Sequence, residues 1–298
     1  MSENRTVGAR GIVAFVITTL VWGSTWLVIK SQLGPVPPAW SVTWRFALAA
    51  LGMFIFASLR GERLMLGRRG LALAAVIGLF QFFANFQLVY QSERFLTSGL
   101  VAVMFALLIV PNALLARIFI GAPISRRFLV GSGIAVGGIA LLMVHEYQVA
   151  NLGGSVVAGL LLVSGAIFCA SIANVLQASQ TARAEPIPVL LAWAMLAGSL
   201  CDAAYAWITT GPPVIDPSPA YLSGVAYLGL VGTVLTFPLY AILLRDWGPG
   251  RAAYNSVLIP VVAMALSTLF EGYHWTKLTI GGALLVLAGL TVALGGRK

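Results

Sequence analysis

Charge is scarce in this chain. Asp, Glu, Lys and Arg make up only 9% of its 298 residues, against about 25% in an ordinary soluble domain, so a water-facing surface cannot be assembled from it. Cysteine and histidine are scarcer still: Cys169, Cys201, His145 and His274 are all there are. Neither pair has metal-ligand spacing, and both cysteines fall in apolar runs, where they read as packing residues. The histidines fall at loop edges and read as interfacial or solvated. With two peripheral histidines and few acids, no HExxH, serine–histidine or paired-aspartate site can be built at depth, which disfavours an intramembrane enzyme. No cofactor and no metal is expected. The stretch GSGIAVGG, residues 131–138, misses the dinucleotide fingerprint and lies inside an apolar run.

What the chain has is apolar sequence, 59% of it. Runs of about 20 residues, the length an α-helix needs to cross about 30 Å of hydrocarbon, recur from end to end. They span Gly11 to Lys30, Pro38 to Leu59, Leu71 to Tyr90, Thr97 to Ile118, Phe128 to Val144, Gly154 to Gln177, Pro188 to Ile208, Tyr221 to Leu244, Ala252 to Phe270 and Leu278 to Leu294. The expected fold is an all-α membrane protein of ten transmembrane helices. The first run follows Arg5 and Arg10 but is long for a signal peptide and lacks a small-residue cleavage site, so it is expected to stay as span 1.

The net charge of +9 is explained by orientation. Of the 18 basic residues, all but Lys30, Arg45, Arg94 and Lys277 fall in the tails or beside the loops after even-numbered spans. This is the positive-inside signature, and it predicts that both termini are cytoplasmic. Nucleic-acid binding is not needed to account for the basicity.

The chain also resembles itself. IGLFQFFANFQLVY (77–90) is similar to LGLVGTVLTFPLY (228–240), pairing Gly78 with Gly229 and Tyr90 with Tyr240. Pro111 pairs with Pro260, Gly131 with Gly282 and Gly138 with Gly289, all at offsets of 149 to 151. The halves, 1–148 and 149–298, would each hold five spans. Five is odd, so the second half enters the membrane from the opposite face and the repeats are inverted, an architecture that recurs in transporters.

These residues resemble the drug/metabolite transporter superfamily, in particular its EamA-type ten-helix exporters. The likeness rests on WGSTW (22–26), WRFALAA (44–50), the proline-centred span followed by a glycine-striped one in each half, and LFEGYHWTKLTIGGALLVLAGL (269–290). It covers essentially the whole chain and implies an inner-membrane exporter whose spans 1, 3 and 4, with their equivalents, line a central path. One departure stands out. Glu271 lies 11 residues after Pro260, whereas Ala122 lies 11 after Pro111, so a matched acidic pair at those positions is missing.

Polar side chains inside spans mark candidate contacts. Trp22 and Trp26 are four apart on one face, with Gly23, Ser24 and Thr25 between them; they read either as a wall of the solute path or as close helix packing. Gln81 and Asn85 share a face, suited to a zwitterion or to interhelical bonding. Asn174, Thr236, Tyr240, Tyr254 and Asn255 fall on spans equivalent to the lining ones. Pro111 and Pro260 should kink their helices, as hinges or as static bends. Glycines spaced by seven in spans 5 and 10 predict close contact, within the monomer or in a homodimer. Arg45, Asp202 and Glu271 are the charges available for coupling or for an ion pair. With no mid-helix glutamate in span 1 and no Lys/Arg cluster, the favoured solute is neutral or zwitterionic. The expectation is a secondary exporter of small metabolites such as amino acids. A facilitator or multidrug-type exporter, and less so a membrane scaffold, are the alternatives.

Overall fold

The computed structural model describes residues 9–34, 36–121, 123–149, 153–240, 242–243 and 254–294, and among them all regular structure is helical. The long helices are α1 (Ala9–Ser31), α2 (Pro38–Leu59), α3 (Arg68–Ser92), α4 (Ser98–Phe119), α5 (Arg126–Val149), α6 (Gly153–Gln177), α7 (Ile187–Thr210), α8 (Pro219–Tyr240), α9 (Asn255–Phe270) and α10 (Lys277–Leu294), with a four-residue helix, Gln180–Arg183, between α6 and α7. Eight of them, α6 counted from Val156, are long and apolar enough to cross a bilayer. Helix α9 is apolar but shorter, at 16 residues, and α5 runs for 24.

Local chemistry sets several helix ends. Pro38 opens α2 in the first turn, where its missing N–H would have no partner anyway. Ser218 accepts a hydrogen bond from the Tyr221 amide at 3.3 Å, and Pro219 follows it into α8. Gly121, at φ 72°, ends the helical run of α4 in a left-handed turn that a Cβ would disfavour. Helices α3 and α5 begin two to three residues before their apolar runs and take Arg68 and Arg126 into their first turns, as long cationic side chains that reach headgroups allow. At its far end α5 continues to Val149, so His145 belongs to a helix and not to a loop edge. His274 is exposed in the loop between α9 and α10.

Departures from α geometry are concentrated in three helices. Helix α3 runs in wide π turns over Gly78–Ala84, and α8 does the same over Tyr227–Leu235. Such turns cluster at functional sites in helical proteins. Helix α4 tightens into a 3-10 turn at Ala106–Leu108, and Pro111, whose ring crowds the carbonyl four residues back, explains why the α ladder fails there. Pro260 lies inside α9, which stays α-helical through it.

Hydrophobic packing forms two main clusters. One is built from α2, α3 and α7, with contributions from α1, α6 and α8, and centres on Phe46, Phe82 and Met195. The other joins α4, α5, α6, α9 and α10 around Leu100, Leu142 and Leu290. Trp26 and Phe105 border both clusters, so they mark the seam between them. Helix α5 lies against α10 and α2 against α7, while α1 packs on α9 and α6 on α4. In the first of these pairs the backbones nearly touch. A Cβ on Gly131 would fall 2.3 Å from the Ala293 nitrogen, and one on Gly289 would fall 2.4 Å from the Ala135 nitrogen. The seven-residue glycine spacing is therefore used within the monomer. Gly133 and Gly137 have open space beside them.

Candidate functional site

The WGSTW segment turns a different face to each neighbour. Gly23 meets α9, where a Cβ would fall 2.5 Å from Val262 Cβ, so this position is close packing. Trp22 points to α8: its indole N–H donates to the Gly232 carbonyl at 3.1 Å, inside the wide-turn segment, and its ring lies 5.2 Å from Tyr240 and 6.0 Å from Phe237. The same Gly232 carbonyl also accepts the Thr236 hydroxyl at 2.7 Å. Ser24 bonds to the Tyr227 hydroxyl at 2.6 Å. Thr25 returns its hydroxyl to the Trp22 carbonyl at 2.8 Å. Trp26 faces α4 instead, with its ring 4.9 Å from Phe105. The two tryptophans thus serve different neighbours, Trp26 at the seam between the packing clusters and Trp22 against the aromatic side chains of α8.

The amides of α3 lie at the wide turn. Asn85 is buried and donates to the Gln81 carbonyl at 3.2 Å. The side-chain oxygens of both Gln81 and Asn85 are buried and accept no hydrogen bond from the protein. Two unmet acceptors one turn apart are what an ammonium group or another donor would satisfy. Across the bundle, Asn174 of α6 donates to Asn112 of α4 at 3.4 Å.

Other candidates are already engaged. The Asn255 amide donates to Thr18 at 2.9 Å, and its oxygen accepts from Thr19, which ties α9 to α1. Thr236 is buried and bonds to the Gly232 carbonyl at 2.7 Å. Tyr254 is exposed at the start of α9.

A second polar assembly occupies the opposite end of the bundle from the basic loops. Arg45 is 4% exposed, and its guanidinium lies 4.4 Å from the Phe86 ring centroid and 5.1 Å from that of Phe46. Tyr90 is fully buried beside it. Asp202 does not pair with Arg45: it accepts from the Gln87 amide at 2.7 Å. Lys30 donates to the backbone carbonyls of Glu93 and Leu96, and Glu271 accepts from both the amide and the hydroxyl of Ser98. A carboxylate at a helix N-terminus meets unpaired N–H groups there, so Glu271 caps α4.

Glu93, one residue past α3, is the residue that sequence reasoning missed. Its exposure is 0%, and neither carboxylate oxygen accepts a bond from the protein. In the string QSERF it reads as a solvated turn with Arg94 as a local partner, but Arg94 bonds to Gln91 at 3.0 Å and Glu93 turns inward. Burial pushes the Glu93 carboxyl well above the usual range, with nearby Glu271 adding to the effect and Lys30 and Arg45 opposing it.

The EamA-like transporter family model matches this chain twice, over residues 9–144 and 157–295. The chain belongs to the EamA-like transporter family. Among its EamA relatives is the "Uncharacterized inner membrane transporter YedA" of Escherichia coli, 29% identical over 281 residues, which cover 93% of this chain and 88% of that protein. A "Probable amino-acid metabolite efflux pump" of Salmonella typhimurium is 26% identical over 300 residues, covering 94% and 93%. A solved crystal structure matches with a TM-score of 0.68 at 18% identity, over 95% of this chain and 96% of that one, a likeness of fold. This EamA protein is a multi-pass inner-membrane transporter, and its family and relatives point to transport and not to catalysis.

Proposed function

We propose that this protein exports small neutral or zwitterionic metabolites such as amino acids by alternating access, as a secondary transporter with both termini in the cytoplasm. The observation that carries the solute class is the pair of unmet side-chain oxygens on Gln81, inside the wide turn of α3, and Asn85, just past its end. They offer acceptors to an ammonium group without a buried counter-charge, while Trp22, Trp26 and Tyr240 offer aromatic faces to an apolar side chain. The name of the Salmonella relative, an amino-acid metabolite efflux pump, agrees with this reading.

Alternating access rests on two inverted five-helix repeats, 1–148 and 149–298. Reciprocal packing supports them: α1 lies on α9 as α6 lies on α4, and α2 meets α7 as α5 meets α10. Equivalent wide turns in α3 and α8 support them too. Pro111 and Pro260 are the hinges on this reading. A homodimer through α5 and α10 would have to use the open stripe at Gly133 and Gly137, since Gly131, Gly138, Gly282 and Gly289 face the partner helix of the same chain.

The test is efflux from proteoliposomes loaded with isotope-labelled amino acids. Faster release than from protein-free vesicles is expected, with or without a proton gradient, according to whether the protein is coupled or a facilitator. No release of any amino acid under any imposed gradient would sink the export reading. Release of amphipathic cations alone would favour the multidrug alternative.

A further inference from the structure

Glu93 stands where the end of the bundle remote from the basic loops is closed. Four ties across helices converge there: Lys30 to the Glu93 and Leu96 carbonyls, Ser98 to Glu271, Gln32 to the Tyr221 carbonyl at 3.3 Å, and Ser41 to the Tyr221 hydroxyl at 2.9 Å. Each neighbour that could neutralise an ionised Glu93 is otherwise engaged. The Lys30 ammonium of α1 is held by backbone carbonyls. The Arg45 guanidinium of α2 lies against Phe46 and Phe86 and beside Tyr90. Glu271, after α9, is itself acidic and so disfavours a second negative charge nearby. On its own strand of chain, Arg94 is turned outward to Gln91.

An anion with no donor and no exposure is strongly disfavoured, so the closed end selects the protonated acid. Opening that end would hydrate Glu93 and free it to ionise beside Lys30 and Arg45. The opposite water phase lies beyond the 25 residues of α3, about 37 Å away. The proton therefore leaves to, and returns from, one compartment only, and no net charge crosses the membrane through this group.

We propose that Glu93 is a proton-binding latch by which the remote gate senses the pH of the compartment it faces, without carrying protons across. Acid in that compartment holds the gate shut, and alkali releases it. The proposal rests on the alternating-access reading, but its test uses no solute, so a failure to find amino-acid efflux and a failure of the latch are separate results.

The test is reaction with a membrane-impermeant maleimide in proteoliposomes, on a background carrying Cys169→Ala and Cys201→Ala. Ser92→Cys reports the gate, because Ser92 is buried one residue from Glu93 and its hydroxyl donates only within its own helix, to the Val89 carbonyl at 2.8 Å. Ser31→Cys, exposed at the same end, corrects for the pH dependence of the thiol itself. The gate-to-control labelling ratio is expected to rise severalfold between about pH 5 and about pH 8 on the gate side, and to ignore pH on the other side. Glu93→Gln, locked in the neutral shape, should keep the ratio low throughout. A ratio that is flat with gate-side pH, one that follows the opposite side, or one unchanged by Glu93→Gln would each overturn the latch. If Glu93→Gln is not recovered as folded protein, the two-sided comparison in the parent decides alone.

Discussion

Trp22 combines an indole donor with a ring face turned to α8. Trp22→Ala removes the bond to Gly232 and the contact with Tyr240. Aromatic pairs of this kind contribute about 0.5–1.5 kcal/mol beyond their burial. Transport should fall several-fold in the proteoliposome assay while expression stays near the parent's, and Trp22→Phe should recover part of it. Gln81→Leu and Asn85→Leu should likewise lower transport with little loss of thermal stability, because neither side-chain oxygen has a protein donor to lose. Asn255 behaves oppositely. It joins Thr18 and Thr19 across α1 and α9, so Asn255→Leu should cost roughly 0.6–2 kcal/mol of stability if the bonds match those measured between membrane helices, read as a lower melting temperature in detergent. Sequence put all four on one list, since an amide in an apolar run looks the same whether its partner is a solute or a neighbouring threonine.

At the scale of elements, the helices were legible and their irregularities less so. Runs of apolar residues placed the long described helices to within about five positions, the expected end of span 8 at Leu244 and start of span 9 at Ala252 lying outside the described residues, because a membrane forces backbone groups to pair within the segment. The proline in α4 announced its break, whereas the wide turns of α3 and α8 had no comparable signal: the repeat flagged Gly78 and Gly229, but not the change in winding that begins beside them. Glycine spacing was informative about contact and silent about the partner. The contrast is testable in thermal unfolding. Gly289→Val places a branched side chain against the backbone of α5 and should destabilise by more than the 1–3 kcal/mol typical of an overfilled core, whereas Gly133→Ala, with open space beside it, should leave the midpoint within error.

Over the whole molecule, the two ends of the bundle differ in chemistry. The basic loops lie at one end; at the other, Glu271 caps α4 and Glu93 lies buried. Glu271→Ala should cost about 0.5–2 kcal/mol of thermal stability, the usual worth of a helix cap. Ala122 lies as far after Pro111 as Glu271 lies after Pro260, so no carboxylate stands at that spacing in the earlier sequence. Glu93 makes stability depend on pH with a definite sign. Its carboxyl is raised in the folded state, so between its unfolded and folded values the unfolded chain has lost a proton that the folded chain retains. Stability must therefore fall as pH rises through that window, by at most about 1.4 kcal/mol per pH unit from this group. Melting curves of the parent across that window should show the decline, and Glu93→Gln should flatten it. Reporter fusions to either terminus should report a cytoplasmic location; an external reading at one end alone would break the even span count that the inverted repeats require, and at both ends it would reverse the orientation.

The sequence by itself determined that the chain is helical, that it is built for lipid and which family it resembles, because hydrophobic length, one-sided basic charge and a constant repeat offset are properties of the linear order of residues. Only the tertiary structure decided which polar groups were left without partners. Gln81 and Asn85 keep unmet oxygens and Asn255 does not; Asp202 takes Gln87 and not Arg45; Glu93 turns inward from what reads as a surface turn. Hydrogen bonding and desolvation depend on what packing brings within about 3 Å, and residues up to 237 positions apart meet here through contacts that no local pattern records.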